Sequence, residues 1–107
     1  MKRIECLTEP RNLGKIKDVV TNFKLGGVVI DTVKALRKVE EGKSAARFLE
    51  FEKIKVEIVV NDEEAENLVT MLVSNLQTGS IADGKVFVSS VNDTIRICDG
   101  ERGEKAV

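Results

Sequence analysis

In the stretch from residue 54 to residue 60, every second residue is β-branched and apolar, and charged residues lie between the first three of them. A period of two is that of a β-strand with one face in a hydrophobic core and the other outside it. Lys55 and Glu57 lie on the outer face, so that face is partly polar and can border a cavity between subunits. The inner face carries Ile54, Val56, Ile58 and Val60.

Six more segments carry the period of a strand or of a helix. Alternation and β-branched runs predict strands, and apolar residues three and four apart predict helices. Asn61, with Glu64 three residues on, predicts a capping box. In chain order we expect a strand over 2–7, a helix over 10–24, a strand over 28–33, the strand over 54–60, a helix from Asn61 to near Gly79, a strand over 85–91 and a short strand over 94–98. This order predicts an α+β, ferredoxin-like βαββαβ fold, with both helices on one face of an antiparallel sheet and a single domain over 1–107.

Residues 34–53 show neither period, because charges of both signs interrupt the apolar residues. We expect a long projecting loop, since long loops in compact domains are usually functional. The alternative is an amphipathic helix packed on the domain. The charged residues here either contact a partner protein or are simply solvated; they are Arg37, Lys38, Glu40, Glu41, Lys43 and Arg47. The polar tail over 99–107 should be mobile or partner-dependent.

Composition excludes several classes of function. The net charge of −1 gives no electrostatic drive toward nucleic acid. Without histidine, no nucleophile–base pair is visible, so we expect no enzyme. No apolar run reaches the ~20 residues that span a bilayer, and the first residues lack a secretory core, so we expect a cytoplasmic protein. Cys6 and Cys98 lie in apolar strand patterns and are expected as buried free thiols, without a metal site; a redox role for Cys98 is left open.

Residues 78–88 form a segment of small residues between the second helix and the next strand. A Walker loop runs from a strand into a helix, so this segment is not one. Small residues nevertheless allow backbone N–H groups to converge on phosphate oxygens. Lys85 and Arg96 would add positive charge, and Thr78 a hydroxyl. These residues predict an anion site, with a plain Gly-rich turn as the alternative.

The same segment reads TGSIADGKVFV and resembles the nucleotide-binding loop signature of the PII signal-transduction family, which usually has Gly where this chain has Ala82. Residues 1–5, 53–60, 94–97 and 100–104 are similar to other parts of that family. The resemblance implies a homotrimer that binds ATP, ADP or AMP in clefts between subunits. It also implies a regulator whose T-loop, here 34–53, docks on a transporter, an enzyme or a transcription regulator.

The resemblance further implies which residues contact the nucleotide. The loop would cradle the phosphates, Arg96 would contact them from the last strand, and Lys53 matches a lysine that interacts with the ligand. The cleft wall and the surroundings of the adenine would include Gly27, Val29, Glu57 and Val59. The loop residues are Thr78, Gly79, Ser80, Ile81, Ala82, Asp83, Gly84 and Lys85.

The chain departs from the family at several positions. Residues 34–53 are fewer than in a typical T-loop, and without any Tyr the family's uridylylation is excluded. The family's glutamine that organises Mg²⁺ and 2-oxoglutarate has no counterpart here, and the nearest aligned residue is Val39. We therefore do not expect 2-oxoglutarate to bind, whereas Mg²⁺ could still accompany the nucleotide. Cys98 replaces a second arginine and Val29 a threonine, so ADP or AMP could be favoured. The alternative function is a structural or metal-associated trimer like the divalent-cation-tolerance family, without nucleotide sensing.

Overall fold

The secondary structure follows the predicted order of strands and helices. The computed structural model describes residues 1–39 and 47–107, so the predicted partner-binding residues Glu40, Glu41 and Lys43 lie outside the described residues. The elements are β1 (Lys2–Thr8), α1 (Leu13–Val20), β2 (Val28–Val39), β3 (Arg47–Val60), α2 (Asp62–Leu76) and β4 (Lys85–Ser90), with 3₁₀ turns at Pro10–Asn12, Ile81–Asp83 and Gly103–Ala106. This is the predicted ferredoxin-like α+β arrangement.

The four strands form one antiparallel sheet in the order β2-β3-β1-β4. In the centre, Ile4 of β1 lies between Ile58 of β3 and Val88 of β4. The predicted inner face of β3 is confirmed, because its four apolar residues are buried. They form one core with residues of both helices, which therefore cover the same face of the sheet; the helical members include Ile16, Val19, Leu68 and Leu72.

The uncovered face of the sheet is partly polar, as its sequence pattern indicates. Arg3 forms an ion pair with Glu57 at 3.3 Å, and Lys55 forms one with Glu5 at 3.1 Å. The hydrogen bond from Lys55 to Glu5 raises the pKa of Lys55. This helix-free face is therefore held by cross-strand charge pairs.

The expected loop over 34–53 is wrong for the part of it that the structure describes, and so is the alternative helix. β2 and β3 pair without interruption from Val28 opposite Ile58 to Val39 opposite Arg47. β1 stops at Thr8, opposite Ile54, so residues 33–39 and 47–53 pair only with each other and form a two-stranded ribbon beyond the sheet. Neither face of the ribbon is covered, so neither needs to be apolar, and the two-residue period disappears from the sequence.

The short strand expected over 94–98 is also wrong. Only a single bridge between Ile95 and Arg102 is present, because the chain turns back through Gly100, whose φ is +72°. Arg102 donates to Asp93 from Nε at 3.0 Å, which holds the tail against the chain that precedes the turn. Cys98 lies in that turn and is exposed, contrary to expectation, whereas Cys6 is buried as expected.

The predicted capping box does not form. The Asn61 side chain makes no capping hydrogen bond, and its Oδ1 is buried without a hydrogen-bond partner among the described residues. Three acidic residues in the first turn stabilise the helix dipole instead. Asp62, one of them, pairs with the amino group of Met1 at 3.0 Å. Neither α1 nor α2, the helices found within 1–39 and 47–107, has the length and apolar character that a bilayer crossing needs.

Candidate functional site

The segment between α2 and β4 is closed by the side chain of Asp83. Its carboxylate accepts hydrogen bonds from the backbone N–H of Thr78 at 2.7 Å and of Gly79 at 3.0 Å, and from the Thr78 hydroxyl. The hydroxyl bond and then the backbone bonds lower the pKa of Asp83. Backbone amides thus converge on an anion here, and in this chain that anion is Asp83 itself.

A buried polar contact fixes the end of this segment on β1. The Thr8 hydroxyl donates to the Asp83 carbonyl at 2.7 Å and accepts from the Asn12 side chain at 2.9 Å. Gly84 follows with φ +99°, and a Cβ there would lie 2.9 Å from the carbonyl carbon of Leu7. Only glycine fits this approach, so Gly84 sets the point at which β4 begins and places Lys85 at its start.

Sequence reasoning missed Thr8 and Asn12 as supports of the site. A signal was available for Thr8, because it continues the buried alternation of Ile4 and Cys6 with a polar side chain. A buried hydroxyl is expected to have hydrogen-bond partners, and those partners lead directly to Asp83.

Most of the predicted phosphate-loop residues, the first group of predicted site residues, line a depression of about 420 Å³ between α2 and β4. Val69, Val73 and Val86 contribute its apolar wall. Ile81 lies outside it and is 88% exposed. Lys85 is exposed at its rim, where the side chain can reach an anion. The predicted residues in the lining are Gly79, Ser80, Asp83, Gly84 and Lys85.

The predicted cleft-wall residues and Arg96, the second group of predicted site residues, line another depression, of about 400 Å³, at the β2 edge. Residues that sequence reasoning missed complete it: Gly26, Thr94, Ala106 and Val107. Glycine is needed at position 26 for a steric reason, because a Cβ there would lie 2.8 Å from the backbone of Val107. Five predicted residues line this depression: Gly27, Val29, Glu57, Val59 and Arg96.

Within this second depression, Arg96 is already engaged by the tail. Its guanidinium donates to Asp99 at 3.1 Å and to the carbonyl of Lys105. The Asp99 carboxylate therefore occupies part of the fork that a bound phosphate would use.

A single chain does not bring the two groups together. β2 and β4 are opposite edges of the sheet, so three strand spacings, roughly 14 Å, separate them. Lys53 lines neither depression; it lies at the root of the ribbon, opposite Val33 and next to the position where β1 stops. Residues 1–39 and 47–107 contain no cluster of three or more His, Cys, Asp or Glu suited to a metal ion.

Comparison with known proteins gives consistent matches along the chain. The model of the family described as nitrogen regulatory protein P-II matches residues 1–101. The nitrogen regulatory protein P-II of Rhizobium meliloti is 35% identical over an alignment of 112 positions, which covers 100% of this chain and 100% of the relative. Nitrogen regulatory protein P-II 2 of Methanothermobacter thermautotrophicus is 34% identical, over 100% of this chain and 97% of the relative.

Solved structures match the fold equally well. The structure of a Bacillus subtilis GlnK–ATP complex superposes with a TM-score of 0.86 and 28% identity, covering 99% of this chain and 96% of that one. A second structure, of B. subtilis GlnK, superposes with a TM-score of 0.85 and 28% identity. It covers 99% of this chain and 97% of that one.

Proposed function

This chain belongs to the nitrogen regulatory protein P-II family, whose members are signalling regulators and not enzymes, and on that premise we propose that it binds adenine nucleotides in clefts shared between the subunits of a trimer. The proposal assigns the phosphates to the depression at β4 of one subunit and the remainder of the site to the depression at β2 of the next. ATP, ADP or AMP is the ligand, and the ribbon reports the liganded state to a partner protein.

The separation of the two depressions carries the proposal. Lys85 and Arg96 line separate depressions at opposite edges of one sheet, and these edges are three strand spacings, roughly 14 Å, apart, so neither depression alone holds both cations. The two groups meet when the β4 edge of one subunit faces the β2 edge of another. Such a head-to-tail contact is heterologous, and it closes into a ring if the rotation allows. A trimeric ring would hold three equal clefts.

The chemistry of each half suits a different part of the nucleotide. Lys85 supplies a cation at the end of a glycine turn, which suits phosphate oxygens. Val29 and Val59 supply apolar surface for a purine ring. Arg96 can offer a forked pair of hydrogen bonds once a phosphate takes the place of Asp99. The relative whose structure is described as a GlnK–ATP complex supports ATP as the first nucleotide to test.

The proposal is limited to the nucleotide and a target protein, in a cytoplasmic setting. Val39, on the described part of the ribbon, has no oxygen or nitrogen in its side chain to offer to Mg²⁺ or to 2-oxoglutarate. Regulation then requires that the nucleotide favour one arrangement of the ribbon over another, because a ligand shifts an equilibrium only through such a difference. Lys53 lies where the ribbon joins the sheet and can transmit that difference.

Complementation between two variants tests the shared cleft. Lys85→Ala and Arg96→Ala each remove one charged hydrogen bond, worth ~1.5–3 kcal/mol, so each should weaken ATP binding about tenfold to a hundredfold. When both variants are co-refolded, an Arg96→Ala subunit supplies Lys85 and a Lys85→Ala subunit supplies Arg96. By random mixing, roughly one cleft in four is then intact.

Titration calorimetry of the mixed sample should therefore recover a minority of sites with the affinity of the unmodified protein. Each variant alone, refolded in the same way, is the control. A mixed sample that remains oligomeric and yet shows no recovered sites would contradict the shared cleft. An unmodified protein that binds no adenine nucleotide would favour the structural trimer instead.

A further inference from the structure

The two faces of the ribbon differ in character: the described residues of one are all exposed, and several residues of the other are half-buried. Even-numbered residues of β3 face the helices, because Ile54 and Val56 are buried in the core, and Thr32 lies opposite Ile54. The odd-numbered residues of 33–39 and 47–53 therefore continue the helix-free face of the sheet; we call them the basic face. The even-numbered residues of 34–38 and 48–52 continue the helical side; we call them the mixed face.

Charge is distributed unequally between these faces. The basic face carries Arg37, Arg47 and Lys53 and no carboxylate among its described residues, which gives a formal charge of +3. The mixed face carries two lysines and two glutamates, so its charges sum to zero, and Lys34 and Glu50 approach within 3.9 Å. From this asymmetry we propose, on the basis of the proposed regulatory function, that the basic face docks an acidic, partly apolar surface of the partner protein.

Arg37 is the centre of this surface. Its guanidinium carbon lies 4.6 Å from the centroid of the Phe51 ring, which is on the same face and two pairs along the ladder. The ring holds the guanidinium plane and leaves its N–H edges open for two parallel hydrogen bonds to a carboxylate. Within residues 1–39 and 47–107, no carboxylate lies at ion-pair distance from Arg37.

The surroundings of Arg37 favour a protein over a polyanion. Leu49, which lies opposite Arg37, is exposed, and Phe51, the next residue of β3 on the same face, is half-buried. An arginine set among apolar and aromatic side chains is the composition of a protein–protein hot spot. A membrane or nucleic acid would instead meet a chain with a net charge of −1 and with glutamates on the reverse of the same ribbon.

Selection from a peptide library identifies the chemistry of the partner without knowing its name. The full chain is immobilised and probed with a phage-displayed library of random peptides of about twelve residues. We expect the selected peptides to be enriched in Asp and Glu next to apolar residues. A synthetic copy of the strongest peptide is then measured against variants by fluorescence polarisation.

The variants separate the two faces. Arg37→Glu should weaken the peptide about tenfold or more. Arg37→Lys should weaken it several-fold, because it keeps the charge and loses the fork. The matched control is Lys34→Glu on the mixed face, which makes the same charge change and should alter affinity less than about twofold.

Several outcomes would overturn the inference: no enriched peptide, enrichment without acidic residues, or equal losses in Lys34→Glu and Arg37→Glu. Arg37-dependent binding to an oligonucleotide, or to vesicles with about 30% phosphatidylserine, in place of peptides would also overturn it, since the partner would then be a nucleic acid or a membrane. Calorimetry of ATP binding to the same unmodified protein tests the nucleotide proposal separately. Peptide binding without ATP binding contradicts only that proposal.

Discussion

Replacing Gly84 with alanine should be the most damaging glycine substitution in the described chain. Its φ of +99° and ψ of −157° lie in a region used essentially by glycine alone, where a side chain costs ~1–3 kcal/mol. The new Cβ would also lie 2.9 Å from the Leu7 carbonyl carbon and 3.0 Å from Thr8 Cα, and closer still to the Leu7 oxygen. These atoms belong to the backbone of the paired strand β1, so they cannot move aside without breaking the ladder.

The expected loss of stability is therefore at least about 3 kcal/mol, a large share of the ~5–15 kcal/mol of a typical domain. Gly79 is the matched control, because its φ is +87° but a Cβ there meets no atom within 4 Å. Gly79→Ala should cost only about 1–2 kcal/mol, the price of the left-handed backbone.

Urea unfolding followed by circular dichroism, at one fixed protomer concentration, measures both variants. Gly14→Ala, within α1 and also without a close neighbour, should stabilise the chain by about 1 kcal/mol and shows that the assay resolves such changes. The reasoning is refuted if Gly84→Ala and Gly79→Ala lose stability equally.

Three further predictions concern charged and reactive groups. Asp99→Asn should increase ATP affinity about twofold to fivefold by calorimetry, because it releases Arg96 from an exposed ion pair worth ~0.2–1 kcal/mol; unchanged affinity would mean that Asp99 does not compete with the ligand. The pKa of Asp83 is lowered in the folded chain, so its carboxylate adds stability that is present above the unfolded pKa of about 3.9 and is lost as pH falls through the folded pKa. Wild type should therefore lose more stability than Asp83→Asn when the solution is acidified below about pH 4. Urea midpoints across that range decide it, and parallel losses would contradict the assignment. Burial raises the pKa of the Cys6 thiol to about 11, so a thiol reagent at pH 8 should label exposed Cys98 first and reach Cys6 only in denaturant; mass spectrometry of Cys98→Ser, which should stay unlabelled when folded, checks this.

The core could be predicted from the sequence because one face of each strand and helix is buried. The alternation over 54–60 exists since Ile54 and Val56 lie under the helices, and the order of elements followed from it. The ribbon could not be predicted in the same way. Neither of its faces is part of the hydrophobic core, and the exposed positions accept residues as different as Lys34, Leu36 and Phe48, so no period remains to be detected.

The candidate site shows a similar division. The glycines and Lys85 stand out in the sequence because a turn with positive φ needs glycine. The bonds of Asp83 and Arg96 depend on the three-dimensional path of the chain. Asp99 reaches Arg96 only because residues 97–100 turn back instead of continuing a strand. The Asp-Gly pair at 99–100 is typical of a turn, but it does not indicate which side chains the turn brings together.

Two half-sites at opposite sheet edges have a thermodynamic consequence for assembly. A ligand that contacts Lys85 of one subunit and Arg96 of the next binds only the assembled form. At a hundred times its Kd, such a ligand stabilises that form by ~2.7 kcal/mol for each site, so three clefts would add about 8 kcal/mol. The melting temperature should then rise both with ATP and with protomer concentration, and ATP should lower the protomer concentration at which the assembly dissociates. A site contained within one subunit would raise the melting temperature without that coupling, so the two arrangements differ in a quantity that can be measured on the unmodified protein.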